Sequence, residues 1–382
     1  MKHLIIGLGK SGLAAGKYLQ EKGEKVIGYD EKPIDAPFET SSSLDLSGID
    51  QIVLSPGFDP RCSFIQSARK KGMPIIGEME LGLRDLNKFC VGITGSNGKT
   101  TSCLLLEHFC KKAGKSSQVL GNTGKPICSY LLEKKFPSSI YILEISSFQL
   151  ETLEIKAFDL VGFLPICPNH LDRYNSFSEY KQTKLKLASL IKPLGKVFAP
   201  YSLQKDLPSS LEVGAHPLLL AKRLAKELGI SADEKGFSYP EHRLEKLATW
   251  KGIHFYNDSK STTPESTLYA VKNCEKKILL LCGGSDKNLE YTGWIQGFSD
   301  RVTKVFAVGS CGEKIANTLQ SYYNVVRKNT LKEAFYLAVS FAKPGDTILL
   351  SPGSASYDEF SNYEERGKAF KNWVNSLKDK SI

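Results

Sequence analysis

Residues 90–101 read Cys-Val-Gly-Ile-Thr-Gly-Ser-Asn-Gly-Lys-Thr-Thr, an apolar start that breaks into glycines and then a Lys-Thr pair opening a helix-like run, Ser102 to Phe109. That is a strand, a phosphate loop and a helix. Triphosphate chemistry needs small residues whose backbone N–H groups curl around phosphate oxygens, a helix N-terminus aimed at the anion, a lysine for the outer phosphates and a hydroxyl for magnesium. Gly95, Ser96, Asn97, Gly98, Lys99, Thr100 and Thr101 supply that set, with Lys99 as the phosphate lysine and Thr100 as the magnesium hydroxyl. Ile93, not glycine, stands five positions before Gly98, so the loop is a variant of the usual pattern. The bland alternative is a flexible glycine turn, and the flanking strand and helix argue against it.

A chain of 382 residues exceeds one ordinary core and suggests two or three domains, and the strand and loop pattern along it predicts three α/β domains, 1–87, 88–239 and 240–382, with Tyr239-Pro240 as the second linker. The opening Met-Lys-His-Leu-Ile-Ile-Gly is too short for a signal-peptide core, and no later stretch approaches a membrane span. A cytosolic protein is expected. Nine cysteines with no Cys-x-x-Cys pair point to reduced, mostly buried thiols. The net charge of +10 is carried by lysines spread as singles and pairs, such as Lys134-Lys135 and Lys276-Lys277. This dispersion reads as solvated surface and not as a nucleic-acid patch.

Before residue 87, a strand His3 to Ile6 runs into Gly7-Leu8-Gly9-Lys10-Ser11-Gly12, and a second strand ends at Asp30. Glycines for a tight turn, a helix N-terminus for pyrophosphate and an acid about 20 positions on are the outline of a dinucleotide fingerprint. Alone it argues for an NAD-dependent oxidoreductase. The same loop can hold any pyrophosphate, including that of a UDP-sugar.

In the middle third the strand Ile140 to Leu143 runs directly into Glu144, and Leu160 to Leu164 leads to Asn169-His170-Leu171-Asp172-Arg173-Tyr174. A carboxylate at the carboxyl end of a buried strand lies where open α/β sheets place their ligands, so Glu144 is a magnesium candidate and His170 a second one. In the last third every strand ends in a Gly- or Ser-rich turn, including Asn257-Asp258-Ser259-Lys260-Ser261-Thr262, Gly283-Gly284-Ser285-Asp286-Lys287 and Ser351-Pro352-Gly353. That is the pattern of a second doubly wound sheet.

Taken together, the phosphate loop, the His170 motif, the Asn257–Thr262 run and Leu349 to Phe360 resemble the Mur ligases, in the branch that adds D-glutamate to UDP-N-acetylmuramoyl-L-alanine. The resemblance spans the chain. It implies an N-terminal Rossmann-like domain for the UDP substrate, a central P-loop domain for ATP and a C-terminal domain for the amino acid. Lys99, Glu144, His170 and Lys184 become the catalytic set, and Thr100, Glu144, His170 and a carbamylated Lys184 the Mg²⁺ ligands. Arg243 and Asp258 join the ATP contacts; Ser11, Asp30, Ser55, Asn122 and Ser146 fall on the UDP substrate; Lys260, Thr262, Lys287, Ser356 and Tyr363 fall on D-glutamate. The implied product chemistry is amide formation through an acyl phosphate in peptidoglycan precursor synthesis, by a monomer. Another amino-acid ligase of the family is the alternative.

The sequence departs from that family in four places. Asn169 stands where Asp is usual, Tyr363 replaces Phe, and the chain is shorter through the middle. His216-Pro217-Leu218-Leu219-Leu220 occupies a His-Asn-x-x-Asn stretch whose second Asn touches adenine, so Leu220 is expected to line an apolar, less selective base pocket.

Overall fold

The computed structural model describes residues 1–86, 88–133, 138–171, 173–274 and 277–379. Asn87 at the expected first boundary, Lys134-Lys135, Asp172 and Lys276 lie outside the described residues. The protein is α/β, with three sheets in chain order.

The first sheet contains β1 (Lys2–Ile6), β2 (Lys25–Tyr29), β3 (Glu39–Thr40), β4 (Gln51–Leu54) and β5 (Ile75–Gly77), in the order β3-β2-β1-β4-β5. All its pairings are parallel. The helix Lys10–Glu21 buries Ala14, Ala15 and Leu19 against Ile5 and Val53. β4 is buried at every position, as expected of a parallel strand covered on both faces.

The second sheet contains β6 (Phe89–Thr94), β7 (Ser117–Gly121), β8 (Ile140–Glu144), β9 (Phe158–Phe163), β10 (Ile191–Pro200) and β11 (Leu211–Val213), ordered β11-β10-β9-β6-β8-β7. Its pairings are parallel throughout. Side chains alternate between two cores: Val91, Ile93 and Ile142 face the helices Lys99–Lys112 and Pro217–Glu227, whereas Cys90, Tyr141 and Leu143 face the opposite layer. β6 lies between β8 and β9, so the strand order reverses at the loop that follows it. An open α/β sheet leaves its ligand crevice at such a reversal.

The third sheet contains β12 (Glu245–Lys246), β13 (His254–Asn257), β14 (Ile278–Gly283), β15 (Val302–Val308), β16 (Val325–Arg327) and β17 (Thr347–Leu350), ordered β12-β13-β17-β14-β15-β16. β12 pairs antiparallel with β13, and the other pairs are parallel. Alternation again divides the core: Leu280 and Leu349 on one face, Leu279, Leu281, Ile348 and Leu350 on the other. The edge strands β3, β11, β12 and β16 have two or three residues each and no apolar run, so periodicity could not announce them.

By packing, the chain divides into two compact units, Met1–Pro168 with Arg173–Phe237, and Asn169–Asp172 with Ser238–Ile382. The first two sheets therefore share one unit. No helix among the described residues is long and apolar enough to cross a membrane. All nine cysteines are free, seven of them buried.

Candidate active site

The loop after β6 has the backbone a phosphate cradle requires. Gly95 and Gly98 take φ of 148° and 82°, and a Cβ on Gly95 would meet Leu164 Cβ at 2.6 Å, so neither position admits a side chain without strain. Gly98 is the left-handed N-cap of the helix Lys99–Lys112, with no side chain capping it. The first N–H groups of that helix therefore face the loop, as anion binding needs. Lys99 folds back over the loop and donates to the carbonyls of Gly95 and Ser96, both at 2.9 Å. Ser96 is taken into the scaffold instead: its hydroxyl donates to Cys167 O and accepts from Cys167 N–H, each at 2.9 Å, with Tyr180 OH 3.1 Å away.

Glu144, at the carboxyl end of β8, is 2% exposed. Thr100 Oγ1 donates to its Oε2 and Asn122 Nδ2 to its Oε1, both at 2.8 Å. β8 is the neighbour of β6, and this adjacency brings a residue 44 positions away onto the phosphate-loop hydroxyl. Lys184, on the helix Phe177–Leu185, is also 2% exposed, and its Nζ donates to Thr94 Oγ1 at 3.4 Å. Burial pushes its pKa well below the lysine range; Lys99 adds to the shift and Glu144 opposes it. A buried amine of that kind is held toward its neutral, nucleophilic form. The predicted Lys99, Thr100, Glu144, Asn122 and Lys184 thus form one neighbourhood in the first unit.

His170 belongs to the segment Asn169–Asp172 of the other compact unit, with φ of 55° and its N–H on Asn169 Oδ1 at 2.9 Å. No three His, Cys, Asp or Glu side chains gather as a metal centre among the described residues. The donor set at Thr100 and Glu144 still fits magnesium, which takes one or two carboxylates and completes its shell with substrate phosphates and water.

At the switch point of the first sheet, Gly12 approaches so closely that a Cβ there would lie 1.9 Å from Gly7 O. Ser55, at the end of β4, donates to Gly7 O at 2.8 Å. Asp30 accepts Leu8 N–H of the glycine loop at 2.6 Å and Lys32 N–H of its own loop at 3.2 Å. Ser11 lies in the first turn of the helix Lys10–Glu21. Ser146 caps the short helix Ser147–Leu150 in a capping box with Gln149, a structural role the sequence reading did not give it.

In the second unit Asp258, Lys260 and Thr262 follow β13, Lys287 follows β14 and Ser356 follows β17, whereas Arg243 precedes β12 and Tyr363 opens a helix. Asp258 is 1% exposed and accepts from Leu244 N–H at 3.1 Å and Ser351 Oγ at 2.8 Å. Burial raises its pKa, while Arg243 pulls the other way. Lys260 Nζ sits 5.4 Å from the centroid of the Tyr363 ring, which opens the helix Tyr363–Asp379. Thr262 immediately precedes Thr263, the N-cap of the helix Pro264–Asn273. Ser356 is buried and its carbonyl closes a turn with Phe360 N–H at 2.8 Å, while Lys287 stays half-exposed.

Sequence reasoning missed Arg366, which is buried and donates to Ser259 Oγ and O and to the carbonyls of Ser354 and Ala355. It ties the loop carrying Lys260 and Thr262 to the loop carrying Ser356. An arginine inside a charged helix run has no local signature, so only the tertiary structure could show it. One expectation is corrected: Leu220 does not line a base pocket. It is 0% exposed, within the core of Val91, Ile93, Leu164 and Leu224, and would collide with any side chain at Gly162. The helix Pro217–Glu227 turns that residue toward the sheet, and His216 instead caps the helix through Nδ1, accepting Leu218 N–H at 3.1 Å.

Comparison with known proteins follows the same lines. The Mur ligase middle domain family matches residues 93–206, and the Mur ligase glutamate ligase domain family matches residues 242–353. The UDP-N-acetylmuramoylalanine–D-glutamate ligase of Protochlamydia amoebophila is 34% identical, with 98% of each chain covered. The enzyme of that name from Chlamydia caviae is 32% identical, with 99% of each covered. Among solved structures, the UDP-N-acetylmuramate-alanine ligase of Thermotoga maritima shares the fold with a TM-score of 0.59 at 15% identity, covering 99% of this chain and 100% of that one. The MurF ligase of Thermotoga maritima, solved with ADP, gives 0.63 at 14% identity, over 98% and 95%.

Proposed function

The chain belongs to the Mur ligases, in the branch of the UDP-N-acetylmuramoylalanine–D-glutamate ligases, and from that premise we propose how its residues carry out the reaction. The enzyme is an ATP-dependent ligase that adds D-glutamate to UDP-N-acetylmuramoyl-L-alanine in peptidoglycan synthesis. The terminal carboxylate of the UDP substrate attacks the γ-phosphorus of ATP, ADP leaves, and an acyl phosphate results. The amine of D-glutamate then attacks the acyl carbon, inorganic phosphate leaves, and an amide bond is formed. Each step is largely a matter of positioning and charge neutralisation.

The observation that carries this reading is the junction of the phosphate loop with the buried carboxylate at its side, Thr100 on Glu144 and Asn122 behind it. Gly95 to Thr101 cradle the phosphates, and Lys99 leaves the two carbonyls it now holds for the outer phosphates. Thr100, Glu144 and His170, with Lys184 as a carbamate, would hold Mg²⁺, which would supply neutralisation of phosphate charge. A buried amine kept toward neutrality is the form that captures CO₂, and the resulting anion replaces a cation that would repel the metal. The expected domains divide the substrates: 1–87 takes the UDP part through Ser11, Asp30 and Ser55, with Asn122 and Ser146 from the next domain; 88–239 takes ATP. Residues 240–382 take D-glutamate through Lys260, Thr262, Lys287, Ser356 and Tyr363, and add Arg243 and Asp258 to the nucleotide. The protein works as a cytosolic monomer.

The dinucleotide reading leaves the phosphate loop and the buried Glu144 beside it without a role. The deciding experiment supplies ATP with UDP-N-acetylmuramoyl-L-alanine, D-glutamate, both or neither, and follows phosphate. Release that requires both substrates is the expected result. Release with another amino acid in preference to D-glutamate, or NADH binding without UDP-substrate binding, overturns the proposal.

A further inference from the structure

Arg173 is one residue beyond the His170 motif's Asp and is absorbed by none of the roles above. Its side chain is 10% exposed and its partner Glu151 is 11% exposed, so this pair is sheltered from water. Nε and Nη2 form a fork on the two carboxylate oxygens of Glu151. The outer face of the same guanidinium reaches a different element: Nη1 donates to Gly57 O at 3.3 Å and Nη2 to Phe58 O at 2.9 Å. Its Cζ lies 4.3 Å from the centroid of the Phe148 ring. Five interactions thus converge on one planar group, a task that a point-like ammonium cannot perform.

The two elements joined are the ones on which the substrates must meet. Gly57 and Phe58 close the loop after β4, whose Ser55 carbonyl accepts Phe58 N–H at 3.0 Å and whose Ser55 hydroxyl braces Gly7. Phe148 and Glu151 belong to the turn that follows Glu144 and Ser146 at the end of β8. From there an aromatic chain runs back to the phosphate loop: Phe148 stacks on Tyr174 at 6.1 Å, Tyr174 meets Tyr180 edge-on at 5.4 Å, and Tyr180 OH lies 3.1 Å from Ser96 Oγ. Without Arg173 the Gly57 and Phe58 carbonyls lose these donors, and among the described residues no other guanidinium fork joins this loop to the segment after β8.

We propose that Arg173 is a positioning residue for the UDP substrate: its fork fixes the Ser55–Phe58 loop against the segment after Glu144, and so sets the acceptor carboxylate relative to the phosphate loop. The inference rests on the reading of the Ser55 loop as part of the UDP-substrate site. Arg173 touches no reacting atom in it, and acts by holding backbone.

The test uses Arg173→Lys, which keeps the charge and loses the fork, and Glu151→Gln, which keeps the guanidinium and loses its anchor. Amide exchange of residues 55–58 and 95–99 is followed in ligand-free protein, and KM is measured for each substrate. The first segment should exchange faster in both variants while the second is unchanged. KM for UDP-N-acetylmuramoyl-L-alanine should rise about tenfold or more, since an ångström of misplacement can cost a hundredfold, with the ATP KM within about threefold. Unchanged exchange at 55–58 in a folded variant, or equal rises of both KM values, overturns the proposal. Should Arg173→Lys fail to fold, Glu151→Gln decides by the same readouts. If the wild type binds no UDP substrate, the functional reading falls and the substrate-positioning role falls with it, and loosening of 55–58 alone in the variants then shows only that Arg173 braces that loop.

Discussion

Replacing Lys184 by Met should abolish ligation and, at the same time, stabilise the ligand-free protein. The lysine is 2% exposed, and desolvation is the largest influence on it; Lys99 adds repulsion that Glu144 only partly offsets. Methionine fills a similar volume without a charge. Replacing a buried ion pair whole by apolar residues is neutral or stabilising by about 1 to 4 kcal/mol; removing Lys184 alone leaves Glu144 on Thr100 and Asn122, so the gain should lie at the low end, about 1 kcal/mol, a Tm rise of roughly 2 to 4 °C for a unit of this size. The pH dependence has a definite sign. A lysine whose folded pKa is depressed binds fewer protons folded than unfolded, so its penalty is fully present below the folded pKa and is relieved as pH rises toward the ordinary value near 10.4. The Tm advantage of Lys184→Met should therefore shrink as pH rises through that window. The assay is thermal unfolding at several pH values in CO₂-depleted buffer, beside ligation rates with and without bicarbonate. A Tm below wild type at every pH, or ligation retained within tenfold, would refute the reasoning.

Three further outcomes follow from the same geometry. Lys99→Ala should lose at least about 2.7 to 4 kcal/mol of transition-state stabilisation while UDP-substrate affinity by calorimetry stays within a few fold; turnover within tenfold of wild type removes Lys99 from the mechanism. Leu220→Asn should destabilise the fold by roughly 3 to 5 kcal/mol, from lost apolar burial plus an amide without partners in that core, and leave the ATP-to-GTP ratio of kcat/KM unchanged; a sharper preference for ATP with intact stability would return Leu220 to the base site. Glu78 is buried beside Cys128, whose N–H it accepts at 2.8 Å, and burial lifts its pKa from 4.5 to about 7. Its folded form holds the proton longer than the unfolded one, so it contributes a loss of about 3 kcal/mol of stability as pH climbs from below 4.5 through 7, and Glu78→Gln should flatten that slope in denaturant titrations; an unchanged slope contradicts the assignment.

Much of the molecule was legible in one dimension because the signals were local. A phosphate loop is written in consecutive residues: the positive φ of Gly95 and Gly98 and the helix opening at Lys99 are properties of one strand-turn-helix. The strand that ends at Glu144 was equally plain, since parallel strands buried on both faces read as unbroken apolar runs. What the chain order could not supply was which face a residue takes and which distant segment meets it. Leu220 sits one turn into a helix whose start was correctly read, yet packing against Gly162 decides that it points into the core and not to a base. Ser96 looked like a phosphate contact and is drawn into Cys167 and Tyr180; Ser146 looked like a substrate contact and also caps a helix. Arg366 carries no signature at all, and Arg173, though it stands in the His170 motif, gave no sign of a bracing role, because a guanidinium becomes a brace only when folding presents carbonyls from loops more than a hundred positions away. Sequence by itself determined the phosphate loop, the α/β alternation and the kind of chemistry, since these depend on backbone and neighbouring residues; the tertiary structure decided the strand order, side-chain facing and long-range bracing, since those depend on which surfaces burial brings together.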